Sequence, residues 1–411
     1  MSAIIQPAST VREEATLVGL VGLAHGISHF SQLLLAPLFP WLKVEFAVSY
    51  AQLGFLLTLF FTVSCIVQTA SGFWVDRYGP RPVLLAGLTL LGLAALGFAA
   101  STSYWMLAGF SLLAGAGNGV FHPVDFTLIN RKVGKTRLGH AYSVHGITGS
   151  LGWAAAPALL VPLTLAYSWR VALVCASLLA FAVLALLLWR RRDLEVPRLT
   201  APAREVAAGA PEHLLAFLRL PAVWLCFAFF FFYAGSLSVV QTFAAQAAAR
   251  LHGVPPSLAA MCLSVYMVCS ALGMVLGGFL ASDPERCERI VTAAVGVSAC
   301  LAFLVGLGSV PANAVPMVFG LMGFASGITG PSRDLLVKQS TPDHATGRVY
   351  GVVYSGLDIG QAVVPIFVGA LMDQAAFRGV WLALALLQAV MILSAFGVGR
   401  VRPPSLQPAR G

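Results

Sequence analysis

Apolar positions run along this chain in blocks about one bilayer long, separated by short polar turns. Twelve blocks fall at approximately 16–42, 50–74, 82–101, 104–130, 139–166, 169–189, 221–247, 256–281, 290–308, 312–332, 347–371 and 379–399. Most approach or exceed the roughly 20 residues that carry a helix across hydrocarbon. In lipid a helix satisfies its own backbone hydrogen bonds, so the pattern predicts an all-α integral membrane protein with twelve transmembrane helices. One connection breaks the rhythm: Arg190–Leu220 opens with RRRDLEVPR and continues through Ala, Pro and Glu. It predicts a cytoplasmic linker at 190–220 between six-helix bundles at 16–189 and 221–399, flanked by cytoplasmic tails at 1–15 and 400–411.

The two halves are related. Shifting Leu113–Pro157 by 208 positions without a gap places it on Leu321–Pro365. Gly115, Gly119, Pro123, Gly139, Tyr142, Gly152 and Pro157 then meet Gly323, Gly327, Pro331, Gly347, Tyr350, Gly360 and Pro365. A repeat of half the chain length predicts two pseudo-symmetric bundles. Parallel repeats of this kind in a hydrophobic chain follow the major-facilitator plan.

Composition sharpens this picture. Of 411 residues 58% are hydrophobic and 10% charged, against roughly 25% charged in soluble domains. The formal net charge of +9 lies mainly in turns on one side, which receives 21 of the 25 Lys and Arg; Lys43, Arg170, Arg250 and Arg378 fall on the other. The positive-inside rule puts the basic face and both termini in the cytoplasm and leaves no case for nucleic-acid binding. The polar start, with Glu13 and Glu14 before a full-length span, predicts no signal peptide. Seven cysteines without CxxC or Cys/His spacing read as packing residues, so no metal and no cofactor is expected. No GxxxxGK[ST] or G-x-S-x-G motif occurs, and an enzyme is not expected.

Ionisable groups inside spans cost roughly 2.5–3.5 kcal/mol at mid-helix and face a partner or a cavity. His25, His29 and Gln32 share one face of the first span, and Asn118, His122 and Asp125 repeat that spacing in the fourth. The fifth carries Tyr142 and His145 beside Gly149 and Gly152, the seventh Tyr233 and Gln241. The eleventh aligns Tyr350, Tyr354, Asp358 and Gln361. These stripes predict helices lining a central aqueous cavity. Histidine can relay protons near neutral pH, and a carboxyl held out of water can take up and release one during a cycle. Asp125, His122 and Asp358 are the coupling candidates. A purely structural pairing of Asp125 with His122 or a neighbouring helix is the alternative. Arg333 and Asp334, near the cytoplasmic end of span ten, suit a gate.

Between the second and third spans, Gly72-Phe-Trp-Val-Asp76-Arg77-Tyr-Gly79-Pro-Arg81 resembles the major-facilitator signature G-x-x-x-D-R-x-G-x-R. The resemblance implies a cytoplasmic gate in which Asp76 meets the N-terminus of the eleventh helix, with Arg77 and Arg81 beside it. The second half keeps only a trace, around Gly277 and Asp283. His29-Phe30, Pro37-Leu-Phe-Pro40, Phe121-His122-Pro123 and the run Gly139 to Gly152 resemble fosmidomycin-resistance-type and drug–proton antiporter exporters of this superfamily. That pattern has an Asp three residues after the first-span His-Phe, where this chain has Gln32 and Leu33. The span-five antiporter ending is incomplete around Pro157.

The resulting expectation is a monomeric, multi-pass secondary transporter of a bacterial inner membrane. It moves a small organic solute, an anion by preference, with protons, by alternating access. A multidrug or cation exporter using Asp125 and Asp358 is the first alternative. A non-transporting membrane sensor on the same fold is the second.

Overall fold

The computed structural model describes residues 10–134, 137–196, 221–280, 287–340 and 346–400. Most of the predicted linker and both predicted tail ends lie outside them. The described residues are nearly all helical. The first half comprises α1 (Val11–Gln32), α2 (Phe39–Glu45), α3 (Tyr50–Tyr78), α4 (Pro80–Ala100), α5 (Tyr104–Asn118), α6 (Phe121–Lys132), α7 (Leu138–Ala166) and α8 (Trp169–Trp189). The second comprises α9 (Pro221–Val239), α10 (Ala245–His252), α11 (Pro256–Leu280), α12 (Cys287–Leu307), α13 (Val315–Ser340), α14 (Thr346–Asp373) and α15 (Phe377–Arg400). Eleven helical stretches among the described residues are long and apolar enough to cross a membrane.

The 208-residue repeat is built into the helix boundaries. Moved by that offset, α7 becomes 346–374 and α8 becomes 377–397, against α14 at 346–373 and α15 at 377–400. Gly115 and Gly119 lie against the α3 backbone at Phe60 and Ser64, and their repeat mates Gly323 and Gly327 lie against α11 at Tyr266 and Ser270. A Cβ at any of these four positions would overlap a main-chain carbonyl. Glycine is required there because apolar tails surround the helices, and close backbone approach holds them together where the hydrophobic effect does not. The halves meet along two repeat-related seams, α3 on α14 and α7 on α11.

Three predicted spans are interrupted, the first two for a local chemical reason. The run 16–42 is helical from Val11, within the predicted tail, to Gln32, then bends through a 3-10 turn at Ala36–Leu38 into α2. Thr10 and Glu13 form a capping box that starts the helix early, and Glu14 pairs with Arg137 at 2.6 and 2.7 Å. Pro37 and Pro40, which cannot donate backbone hydrogen bonds, place the bend. The run 104–130 breaks at Gly119–Val120, where Pro123 lacks the N–H that would bond the Gly119 carbonyl. The run 221–247 passes through a π turn at Val240–Ala244 before α10.

At the end opposite the basic turns the halves are latched. Asp373, at the C-terminus of α14, accepts from the backbone N–H groups of Tyr50 and Ala51 at 2.8 and 3.0 Å. Lys43 reaches the same carboxylate at 3.2 Å. A carboxylate from one bundle therefore caps the positive end of a helix dipole in the other.

Candidate functional site

Asp125 sits in the first turns of α6, held off α5 by the glycine–proline break. It is completely buried. His25 of α1 places Nδ1 3.0 Å from its Oδ2, and His145 of α7 places Nε2 3.1 Å from the same oxygen. A carboxylate oxygen accepts only, so each imidazole presents an N–H to it when Asp125 is ionised. The two rings stack with centroids 3.6 Å apart. His122 touches this stack by ring edges, 5.3 Å from His25 and 6.3 Å from His145. Asp125 thus pairs with two neighbouring helices, and His122, one turn before it in sequence, stands to the side. The other carboxylate oxygen, Oδ1, has no hydrogen-bond partner among the described residues.

His29 continues the α1 face one turn on. Its ring lies 4.3 Å from His25 and stacks on Trp153 at 4.2 Å. Room for these rings comes from α7. A Cβ on Gly149 would stand 2.7 Å from His29 Nδ1 and 3.0 Å from His25 Nε2, and one on Gly152 would overlap the Gly26 carbonyl.

The remaining α1 polar group, Gln32, belongs to a second layer. Asn118 Oδ1 accepts from Ser28 at 2.7 Å and from Gln32 at 3.2 Å, while its Nδ2 donates to Ser64 at 2.9 Å. Trp153 Nε1 donates to Gln32 Oε1 at 2.9 Å. Sequence reasoning missed Trp153, Ser28 and Ser64. Ser28 stands between His25 and Gln32 on the same face of α1, and Trp153 one turn beyond Gly149 on α7, so helical spacing could have found them; Ser64 meets the stripes only across a helix contact. Except for His122, the first-half residues predicted to line a water-filled cavity on α1, α5, α6 and at His145 are buried within the bundle. Stripe residues on adjacent helices found each other, which removes the cost of burying them singly.

The other predicted residues are dispersed. Tyr142 bonds Asn130 through its hydroxyl, away from the cluster. Gln241 is buried on the π turn, its Nε2 without a hydrogen-bond partner among the described residues. Gln361 is buried on α14, and Asp358 there accepts from Gln68 of α3 at 3.3 Å, across the seam. Arg77 lies 5.3 Å over the Tyr78 ring. Arg81 pairs with Glu195, which follows α8 in the same half. The side chains of Asp76, Asp334, Tyr350 and Tyr354 lie outside the described residues.

Arg333 occupies a telling place. Its guanidinium lies 4.9 Å over the ring of Tyr233 and 5.1 Å over that of Phe230. By the 208-residue offset Arg333 is the mate of Asp125 and Tyr233 the mate of His25. The same two positions touch in both halves, with a carboxylate in one and a guanidinium in the other.

Among the described residues, the donor group that could approach a metal ion is His25, His122 and His145, with ring nitrogens within 4.8 Å of one another. Two of these three rings already engage Asp125, so the cluster is closed around the carboxylate.

A family model described as Major Facilitator Superfamily matches residues 21–319 and 236–411. The chain is 26% identical over 288 residues to the fosmidomycin resistance protein of Escherichia coli K12, covering 66% of each. It therefore spans just under two thirds of that relative's length. It is 22% identical to the probable sulfoacetate transporter SauU of Cupriavidus necator, over 89% of this chain and 88% of that one. Its fold superposes on a bacterial homologue of the human lysosomal transporter Spinster, in an inward-facing and occupied conformation. The TM-score is 0.77 at 15% identity, over 98% of this chain and 100% of the other. Membrane-length helices, a half-length repeat carried into the helix boundaries and the matching family model agree: the chain is a multi-pass membrane protein that belongs to the Major Facilitator Superfamily of transporters.

Proposed function

We propose that this transporter moves a small organic anion by alternating access, coupled to protons at the His25–Asp125–His145 cluster. The observation that carries the reading is the shared oxygen. Two imidazoles from α1 and α7 meet one buried carboxylate on α6. With Asp125 ionised and both rings neutral, the cluster holds one uncompensated negative charge in a packed interior, and a single proton on any member neutralises it. Proton loss leaves that charge unbalanced and favours separation of the three helices. Protonation and helix packing are therefore the same event here, which is what coupling requires. His29 and His122 extend the ring chain by which a proton reaches or leaves the cluster.

Arg333 supports the choice of an anion. The second half holds its fixed positive charge against Tyr233 and Phe230 at the position where the first half holds Asp125. A guanidinium recognises carboxylate, sulfonate or phosphonate by paired hydrogen bonds. SauU, by name a probable sulfoacetate transporter, is a relative consistent with this class. By the positive-inside rule the face bearing Arg77 and Arg81 is cytoplasmic, and the membrane is a bacterial inner membrane. Asp373 and Lys43 close the outer face in this conformation, while the Asp76 turn gates the inner one. A cationic drug finds less support, since Asp125 is enclosed by its own histidines.

The test uses purified protein in proteoliposomes with phosphonoacetate, sulfoacetate and tetraphenylphosphonium as probes. Anion accumulation should follow an imposed pH gradient. Asp125→Asn should stop accumulation yet keep anion exchange at equal pH, and Arg333→Gln should remove both. Transport of tetraphenylphosphonium alone, abolished by Asp125→Asn under all conditions, would replace this reading with cation export.

A further inference from the structure

The latched side of the molecule carries a cavity, away from the histidine cluster. A cavity of about 560 Å³ opens at the seam between the halves, walled by α2, α7, the π turn, α10 and α11. Pockets of this size suit small molecules. Its lining is mostly apolar, with Trp41, Val161 and Leu263 among the walls, and Arg250 is the one charged residue on it among the described residues.

Two independent features mark it as more than a packing fault. Among the described residues, Gln241, 4% exposed, lines the cavity with its Nε2 donor unpaired, and Gln246, also lining it, leaves Oε1 without a donor. Unpaired amide groups inside a membrane protein cost free energy unless something supplies their partners. The Gln241 side chain also stands on the five-residue π turn Val240–Ala244. Such turns sacrifice regular hydrogen bonding and recur at functional sites. The turn inserts extra backbone between α9 and α10 and so resets which side chains face the cavity below it.

We infer that this cavity binds an amphipathic organic anion bearing a hydroxyl, such as a hydroxycarboxylate or a monoprotonated alkylphosphonate. The anionic oxygens accept from Gln241 Nε2 and face the Arg250 guanidinium at the mouth. The ligand hydroxyl donates to Gln246 Oε1, and its apolar body lies on Trp41 and the aliphatic wall. The site extends the organic-anion reading to a second station, reached before or after the central one. Its own binding depends on neither Asp125 nor Arg333.

Isothermal titration into protein in lipid nanodiscs, corrected with empty nanodiscs, tests this with hexylphosphonate, methylphosphonate and hexyltrimethylammonium. Hexylphosphonate should bind more tightly than methylphosphonate, and hexyltrimethylammonium should not bind. Gln241→Leu and Arg250→Gln should each weaken hexylphosphonate about tenfold or more, and Arg333→Gln, which removes the central anion contact, should leave the Arg250-dependent binding in place. Arg250 is exposed, so its substitution tests the site even if Gln241→Leu fails to fold. The inference is overturned by no binding to wild type, by equal binding of the cation, or by undiminished binding when Arg250→Gln is added to Arg333→Gln. Binding lost in Arg333→Gln alone also overturns it, by moving the ligand to the central site. Intact hexylphosphonate binding without pH-driven anion uptake defeats the coupling proposal alone.

Discussion

Gly149 shows how a residue without a side chain shapes the site. Its missing Cβ leaves the volume into which His29 Nδ1 and His25 Nε2 project, 2.7 and 3.0 Å from where that atom would be. Gly149→Ala therefore forces two rings aside and disturbs the His25 contact with Asp125. Overpacking a closed core costs about 1–3 kcal/mol. The expected result is a lower melting temperature in detergent, with accumulation driven by a pH gradient reduced more than exchange at equal pH. An equal loss of both would mean that Gly149 serves helix packing alone. The histidines themselves were legible in the sequence, since four in the spans of one half, three of them on polar stripes, already pointed to a shared environment. Their assignment to one oxygen of Asp125 was not, because spacing along α6 favours His122 and only packing brings in α1 and α7.

Among the elements, the α5–α6 break connects the two polar layers. Asn118 ends α5 and gathers Ser28 and Gln32 from α1 and Ser64 from α3. Two residues further on the chain turns, and α6 then carries Asp125 into the cluster. Asn118→Ala leaves three buried partners to find others, at about 1–3 kcal/mol for each group left unsatisfied. The melting temperature should fall clearly more in Asn118→Ala than in Ser64→Ala, which removes one contact only. Equal shifts would show that Asn118 is not the hub. The break itself could be anticipated from Gly119 and Pro123, although the apolar run across them read as one span. The π turn had no such sign, since Val240–Ala244 contains neither proline nor glycine.

Across the two bundles, closure on the latched side rests on few polar groups. Asp373 meets two backbone N–H groups of α3 and the Lys43 ammonium, with both side chains partly exposed. A charge at a helix N-terminus contributes about 0.3–1 kcal/mol, and an exposed ion pair about 0–1 kcal/mol. Asp373→Asn should shift the balance of conformations several-fold towards opening on this side. Electron–electron distance measurements between spin labels at Val44 and Gln374, in a background without the seven native cysteines, read that shift. Superimposable distance distributions with and without the Asp373→Asn substitution would rule the latch out.

Hydrophobic periodicity, the charge asymmetry of the turns and the 208-residue repeat are properties of the chain, and they determined the membrane class, the two-bundle plan and most helix limits. Such features act through local hydrogen bonding and the cost of burying charge in lipid, which any arrangement of these helices must respect. The partners of polar groups inside the bundle are set by inter-helix contacts, and helix periodicity says only which face a side chain takes. The tertiary structure therefore decided that Asp125 belongs to His25 and His145, and that Arg333 rests on aromatic rings at the mated position. It also decided that Asp373 crosses to α3, because each of these contacts exists only once glycine-mediated packing has fixed how the helices stand against one another.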